Sequence, residues 1–228
     1  KWRFQEYDPI DSLLYQNGDD SYRRMAHHLL MNSGAHEFNT VQYLNEESLP
    51  FLHSQGLMDV DLDGDLDIVA IQKEGDEQFH VFLNNGIDEG GTPILEEAFV
   101  YSRTDTSTSR TLAIVDYDND GDQDVFIPRK EGKNWLFINQ TLSWDGFEYQ
   151  YSQNIGENLF IENSENLGLD DQLNSKNGST GYGGAWADYN NDKNFDFYLT
   201  NWGKNRLYEK YFDSYINIAE DSYLESDS

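Results

Sequence analysis

The stretch Asp59-Val-Asp-Leu-Asp-Gly-Asp-Leu-Asp67 decides the fold, because it places an acidic residue at every odd position of a nine-residue segment. Short apolar segments flank it, Gly56-Leu-Met58 before and Ile68-Val-Ala-Ile71 after. Apolar runs of this length, bounded by Gly and Asp, are typical of β-strands. The segment therefore predicts a tight loop between two strands. Gly64 supplies the left-handed backbone that a sharp bend requires at little steric cost.

The same pattern occurs twice more, so the chain contains internal repeats. The second copy is Asp116-Tyr-Asp-Asn-Asp-Gly-Asp-Gln-Asp124, and the third is Asp188-Tyr-Asn-Asn-Asp-Lys-Asn-Phe-Asp196. The copies begin 57 and then 72 residues apart. The extra length falls in a Gly/Asn/Ser-rich stretch between Trp144 and Tyr182, which predicts an inserted loop.

Further strand-like segments follow each acidic loop at matching positions. They are His80–Asn84, Trp135–Asn139 and Arg206–Lys210, with a fourth copy at His28–Asn32 that no acidic loop precedes. Fourth strands are expected at Val41–Leu44, Ala98–Tyr101 and Phe147–Gln150. Repeating units of strand, acidic loop and three further strands predict an all-β fold of β-propeller-like blades, each a four-stranded antiparallel sheet. We expect three loop-bearing repeats and a partial N-terminal blade.

The acidic loops are predicted metal sites. Alternating Asp and Asn oxygens suit a hard cation that takes six to eight oxygen ligands, which describes Ca²⁺ better than Mg²⁺ or Zn²⁺. The predicted side-chain ligands are Asp59, Asp61, Asp63 and Asp67; Asp116, Asp118, Asp120 and Asp124; and Asp188, Asn190, Asp192 and Asp196. The seventh positions, Asp65, Asp122 and Asn194, belong to the predicted sites, Asp65 through its carbonyl.

The three loops are not expected to bind equally well. In the third loop Lys193 replaces the glycine and brings a positive charge, while Asn190 removes a negative one. Two Ca²⁺ sites are therefore predicted at 59–67 and 116–124, and the third, at 188–196, is expected to be the weakest.

An EF-hand shares the opening of this pattern, but it needs a bidentate Glu at its twelfth position and a helix on each side. The twelfth residues counted from each first Asp are Ala70, Ile127 and Leu199. All three are apolar and lie within strand-like runs. The EF-hand interpretation is excluded, and a dockerin-type loop is excluded for the same reason.

The net charge of the chain limits which binding partners are expected. The chain has 43 Asp and Glu against 15 Lys and Arg, a net charge of −28. Such a surface repels phosphate backbones and anionic lipids, so nucleic acid is not an expected partner. There is no cysteine, which excludes disulfides and thiolate metal sites. No apolar run reaches the roughly 20 residues of a membrane span.

Two N-glycosylation sequons, at Asn139 and Asn177, fit a secreted or cell-surface protein, and an extracellular location is expected. The motifs of a nucleophile elbow, a phosphate-binding glycine loop or a zinc protease do not occur in the chain. The acidic pairs are better explained by metal binding than by a glycosidase mechanism, so no catalytic residue is predicted.

The stretch Gly183-Gly-Ala-Trp-Ala-Asp-Tyr-Asn-Asn-Asp-Lys-Asn-Phe-Asp-Phe-Tyr-Leu-Thr-Asn-Trp-Gly-Lys-Asn-Arg-Leu-Tyr208 resembles the repeats that precede UnbV/ASPIC-type domains. More broadly, roughly Arg24 to Lys210 is similar to the FG-GAP/VCBS repeat family, also found in integrin α-subunit heads. The resemblance implies a calcium-binding propeller whose metal loop joins the first two strands of a blade. Propellers of this family usually have about seven blades. Either a short propeller closes on four units here, or the chain is a piece of something larger, completed by another copy.

Three segments follow from these patterns: an N-terminal segment at 1–23, the repeat domain at 24–212 and an acidic C-terminal segment at 213–228. The predicted function is a non-enzymatic, calcium-binding extracellular module for structural assembly, adhesion or recognition of a protein or polysaccharide. Two alternatives remain open. One is a calcium-dependent polysaccharide lyase or hydrolase, for which the few early basic residues, Arg23, Arg24, Arg103 and Arg110, would have to form a cleft. The other is a filament subunit that binds copies of itself.

Overall fold

The computed structural model describes residues 27–34, 37–44, 52–72, 77–89, 93–103, 108–130, 132–152, 158–170, 181–201 and 204–219. The chain divides into two compact units between Phe51 and Leu52. The described residues contain β-strands and no α-helix. None of them forms a helix with the length and apolar character needed to cross a membrane.

Eighteen strands are formed by the described residues. In chain order they are β1 (His27–Gly34), β2 (Glu37–Leu44), β3 (Leu52–Met58), β4 (Asp67–Gln72), β5 (Glu77–Ile87), β6 (Pro93–Arg103), β7 (Thr108–Ser109), β8 (Ala113–Val115), β9 (Asp124–Ile127), β10 (Arg129–Lys130), β11 (Trp135–Asn139), β12 (Leu142–Trp144), β13 (Tyr149–Tyr151), β14 (Phe160–Glu162), β15 (Gly181–Ala187), β16 (Asp196–Asn201), β17 (Arg206–Tyr211) and β18 (Ser214–Asn217).

The first unit contains β1 and β2, which pair as an antiparallel hairpin. The predicted segments His28–Asn32 and Val41–Leu44 lie within these two strands. The second unit holds three antiparallel four-stranded sheets in its described part, β3-β4-β5-β6, β8-β9-β11-β14 and β15-β16-β17-β18. Each acidic loop joins the first two strands of its sheet, and the ninth-position Asp is the first residue of the second strand.

The fourth strand of the second sheet is not where the sequence pattern placed it. The strand that pairs with β11 is β14, whereas Phe147–Gln150 belongs to a separate hairpin in which β12 pairs with β13. The segment at 147–151 alternates aromatic and polar residues as a half-buried strand does, but its aromatic side chains are exposed. Alternation shows that one face is apolar and does not show what covers it. Leu159 and Phe160 are buried, and they fill the position beside β11.

The central sheet separates two hydrophobic clusters. Val125 and Ile127 of β9 pack with residues of the first sheet, while Phe126 between them packs with residues of the third. Successive strand residues point to opposite faces, so one short strand contributes to both clusters. Phe79 stacks on Phe137 with ring centroids 4.4 Å apart in the first cluster, and Phe126 lies 4.4 Å from Phe197 in the second.

The fully buried pattern of β9 follows from this arrangement, because both of its faces are covered. Sheets stacked face to face in this way are the packing of propeller blades. The prediction of an all-β fold with three antiparallel four-stranded repeats is confirmed for the described residues of the second unit.

A buried ion pair joins the first and second repeats. The Arg129 Nε donates to Glu77 Oε2 at 2.8 Å, and both side chains are almost fully buried. The other carboxylate oxygen of Glu77 accepts the Ser109 N–H. The Arg129 guanidinium lies over the Trp135 ring, 3.9 Å from its centroid. A pair this well bonded is tolerated in the core, but either partner alone would be an uncompensated buried charge.

Replacing Glu77 by Gln should destabilise the chain by about 3–5 kcal/mol, because the Arg129 charge would stay buried without its counter-ion. Urea unfolding measures this loss. The matched control is Glu165→Gln, which removes the exposed partner of Lys133 at 2.6 Å and should change stability little, since solvent screens that pair. Equal effects of the two substitutions would contradict the structural role of the buried pair.

Candidate metal centres

The first acidic loop, 59–67, gathers carboxylates at the end of the β3–β4 hairpin. One oxygen from each of Asp59, Asp61 and Asp67 lies within 4.8 Å of the others. Asp59 Oδ1 is buried and has no protein partner. The pKa of Asp61 is raised by burial first and then by the charge of Asp63. An unpartnered buried carboxylate oxygen among like charges is the environment that a cation relieves, so these residues can hold a metal ion.

A left-handed backbone at two positions bends the loop around this cluster. The φ angles of Leu62 and Gly64, at positions four and six, are 60° and 98°. The Gly64 N–H donates to Asp59 Oδ2 at 3.1 Å, and the Asp65 N–H donates to Asp63 Oδ1 at 2.8 Å. The second of these bonds is that of an Asx turn, and the first spans the loop over five residues. They leave Asp63 and Asp65 exposed and outside the trio of converging carboxylates.

The second loop, 116–124, has the same left-handed bend, at Asn119 and Gly121, but a different set of carboxylates converges there. Oxygens of Asp116, Asp118 and Asp120 lie within 4.8 Å of one another. Asp118 Oδ1 and Asp122 Oδ1 are buried without a protein partner. Burial, followed by the charge of neighbouring carboxylates, raises the pKa of Asp118 to about 6. Burial is also the first cause that raises the pKa of Asp122 to about 8. This loop can therefore hold a metal ion as well.

The ninth-position aspartate closes each loop onto the third strand of its sheet. Asp124 Oδ2 accepts the Tyr117 N–H at 3.0 Å, and Oδ1 accepts the Asn139 N–H at 2.9 Å. Burial raises the pKa of Asp124 to about 9, although both hydrogen bonds act in the opposite direction. Asp67 makes the same two bonds, to the N–H groups of Val60 at 2.7 Å and Asn84 at 2.8 Å.

This closing role was not foreseen from the sequence, which assigned the ninth aspartates to the metal alone. Asp67 closes its loop and also belongs to the first carboxylate trio. Asp124 lies outside the second trio. In the third loop Asp196 is bonded in the same way, by the N–H groups of Tyr189 at 3.4 Å and Lys210 at 3.0 Å. The signal that could have revealed the role is the position of each of these residues, immediately before an apolar strand.

The third loop, 188–196, is described in full, yet it brings no three carboxylates within the same distance. Asp192 Oδ1 accepts the Asn194 N–H at 2.8 Å, and Asp192 Oδ2 accepts from Asn190 Nδ2 at 3.2 Å. The first of these bonds is the main cause of the lowered pKa of Asp192. Asp192 is exposed and accepts hydrogen bonds from within its own loop, and the expectation that this site is the weakest stays a prediction.

Asn139, predicted as a glycosylation site, is fully buried, and its Nδ2 donates to Val60 O at 2.8 Å. A glycan on this nitrogen has no room in the folded chain, so the structure argues against use of the Asn139 sequon. The Asn177 sequon lies outside the described residues.

Residues 59–127 match the family model of the FG-GAP-like repeat. The match begins at the first aspartate of the first loop and ends with the last residue of β9. It therefore spans both loops whose carboxylates converge, and it confirms the resemblance to the FG-GAP repeat family over this range. An FG-GAP-like repeat implies a propeller-type fold, in agreement with the stacked antiparallel sheets. No curated protein matches the chain significantly.

Lys193→Gly should stabilise the chain by roughly 1–2 kcal/mol, because Lys193 holds a left-handed φ of 74° where the other loops have glycine. The control is Lys193→Ala, which removes the same charge but keeps the Cβ. Denaturant midpoints of the two variants isolate the backbone contribution. A glycine variant no more stable than the alanine variant would contradict it.

The raised pKa values of Asp118, Asp122 and Asp124 predict how stability depends on pH when divalent cations are chelated. The folded chain holds these protons more tightly than the unfolded chain, whose carboxyl pKa is about 4. Stability is therefore highest below pH 4 as far as these groups contribute, and it falls as pH rises toward about 9. Thermal unfolding in chelator at several pH values measures the slope, and Asp122→Asn should reduce it. A slope that this substitution leaves unchanged would disagree with the assignment.

Proposed function

We propose that the chain is a calcium-binding extracellular module, in which the cations rigidify the hairpins that begin each blade, and that it binds or assembles rather than catalyses. The observation that carries this proposal is the set of buried carboxylate oxygens without protein partners, Asp59 Oδ1, Asp118 Oδ1 and Asp122 Oδ1, in two equivalent loops. A soluble protein rarely buries such atoms unless something else satisfies them.

The donor set favours calcium among the common metals. Every converging group in the two loops is a carboxylate, and neither cluster contains a histidine nitrogen or a thiolate. Zinc sites in proteins usually contain those softer ligands. Magnesium demands a compact octahedron, whereas calcium accepts a larger and more irregular set of oxygens. The nine-residue loops, with further acids and backbone carbonyls close by, suit the less demanding ion.

The proposed action of the cation is mechanical. In the first loop Asp59 follows the last residue of β3, and Asp67 is the first residue of β4. An ion held by both residues links the end of one strand to the start of the next. The same ion offsets the burial and the repulsion from Asp63 that together raise the pKa of Asp61. The folded chain thereby gains binding free energy that the unfolded chain lacks, about 2.7 kcal/mol per site when calcium is at 100 times its Kd.

An extracellular location accords with this use of calcium. Extracellular calcium modules work with Kd values of about 10⁻⁴–10⁻³ M, which suit sites that stay filled rather than sites that switch. The chain has no cysteine, so disulfides cannot stabilise it, and with a net charge of −28 its folded state is destabilised by repulsion between its own charges. Bound cations would neutralise part of this negative charge.

A recognition role is supported by the hairpin of β12 and β13. Trp144 pairs with Tyr149, and Leu142 pairs with Tyr151, so all four side chains lie on the same face. Trp144, Tyr149 and Tyr151 are exposed, and the Trp144 and Tyr149 ring centroids lie 5.1 Å apart. Exposed aromatic clusters of this kind mark binding surfaces. We therefore favour recognition of a protein or polysaccharide as the role of the module.

Calcium should raise the melting temperature and EDTA should reverse the rise, because only the folded chain presents the carboxylate clusters. One kcal/mol corresponds to roughly 2–4 °C for a chain of this size. Differential scanning calorimetry with and without calcium measures the shift, and isothermal titration calorimetry gives the number of sites.

Asp61→Asn and Asp118→Asn should each remove one site and part of the shift. Asp192→Asn is the matched control, since it alters the loop whose carboxylates do not converge, and it should have the smallest effect. Magnesium at the same concentration should stabilise less. A melting temperature unmoved by either calcium or chelator would overturn the proposed function.

A further inference from the structure

Residues 139–142, named here the bridge, lie between the two candidate metal loops and are bonded to both. Toward the first loop, Asn139 Nδ2 and Thr141 Oγ1 each donate to Val60 O at 2.8 Å. Val60, Asn139 and Thr141 are all fully buried. The carbonyl of one loop residue thus receives two hydrogen bonds from the neighbouring repeat, about 80 residues along the chain.

The bridge is bonded as firmly to the second loop. The Asn139 N–H donates to Asp124 Oδ1 at 2.9 Å, and the Leu142 N–H donates to Asp122 Oδ2 at 2.8 Å. Within the bridge, the Thr141 N–H donates to Asn139 Oδ1 at 3.0 Å. Asn139 therefore has its backbone bonded to the second loop and its side chain bonded to the first. The hydrogen bond from the Thr141 N–H also fixes the orientation of the Asn139 side chain.

The connection continues into the carboxylates of the first loop. Val60, whose carbonyl accepts from the bridge, donates its own N–H to Asp67 Oδ2 at 2.7 Å. Asp67 is one of the three residues that converge there. Hydrogen bonds linked through the covalent chain of Asn139 and Val60 thus connect Asp124 in one loop to Asp67 in the other. Asp122 joins this connection through the Leu142 N–H. The bonds among Val60, Asn139 and Thr141 are buried, where hydrogen bonds are electrostatically stronger than in water, and the bond from Leu142 to Asp122 is partly buried.

We infer that the bridge makes cation binding at the two loops positively cooperative, an inference that rests on the proposed calcium function. A cation held by Asp116, Asp118 and Asp120 orders the loop that also contains Asp122 and Asp124, and so orders the bridge atoms that hold Val60. Val60 in turn holds Asp67 in the position that the first cluster requires. Binding of a cation at the first loop then costs less ordering free energy. By linkage, each cation raises the affinity of the other loop by the same factor.

The second and third loops are joined by an equivalent but weaker link. Lys210 occupies the place of Asn139: its N–H donates to Asp196 Oδ1 at 3.0 Å, and its Nζ donates to Tyr117 O at 3.0 Å. Tyr117 is the second residue of its loop, as Val60 is. A single bond from a long, half-buried side chain transmits less than two bonds from short buried ones. The coupling is therefore concentrated between the first two loops.

Calcium titrations by isothermal calorimetry test the inference, with the third loop disabled throughout by Asp192→Asn in the full chain. Asp118→Asn and Asp61→Asn give the affinities of the first and second loops alone. The overall two-site constant of the chain with both loops intact should exceed the product of the separate constants by about tenfold, within the usual range of allosteric coupling. Thr141→Val, which removes one bond to Val60 O, should bring this factor toward one and leave each separate affinity nearly unchanged.

Two controls separate coupling from general loss of structure. Thr141→Ser keeps the hydroxyl and should retain the factor, and Ser143→Ala, at an exposed neighbouring position, should also leave it unchanged. Were Thr141→Val to unfold, amide hydrogen exchange in the Asp61→Asn chain would decide: calcium at the second loop should slow exchange of the Val60 N–H. Independent binding at both loops, or no change at Val60, would overturn the bridge alone. No calcium binding at either loop would overturn the proposed function together with it.

Discussion

The crowding of carboxylates in short, partly buried loops is the constraint on which the rest of the structure depends. Ionised carboxylates repel one another, and burial removes the water that would screen them. Backbone N–H groups offset part of this cost, since Asp67 and Asp124 each accept one hydrogen bond from their own loop and one from the third strand of their sheet. These bonds satisfy the ninth aspartates and fasten loop to sheet. The remaining oxygens, such as Asp118 Oδ1, receive no such bond within the protein. Structural order and a cluster that could hold a cation therefore arise within the same loops.

The loops show how much of this architecture a sequence can predict. Strands on both sides of each acidic segment were predictable, because Asp and Gly at fixed positions between apolar runs have few other local structures. The inequality of the third loop was also foreseeable, since Lys193 and Asn190 change its charge. The bridge was not foreseeable: Asn139 resembles any polar residue at the end of a strand. Its contact with Val60 depends on how two sheets stack, which local pattern does not specify.

The hairpin at 142–151 shows more clearly where prediction from local sequence pattern fails. Phe147-Glu-Tyr-Gln-Tyr151 has the alternation of a sheet strand, and Phe160–Glu162 is too short to be distinguished from a loop by periodicity. The choice between them is made by Leu159 and Phe160, which fill the space beside β11 and join the cluster around Phe137. Packing volume, a property of the assembled sheets, overrides the local pattern.

The strand β9 has a consequence for how such a chain can change. Because Val125 and Ile127 belong to one cluster and Phe126 to the other, inserting a single residue into this strand would exchange all three between the two clusters at once. Each cluster would then receive side chains of the wrong volume. Insertions are therefore tolerated only in segments that are not strands buried on both faces. The hairpin of β12 and β13 lies in such a place, so the repeats can diverge in what they display while the stacked sheets stay in register.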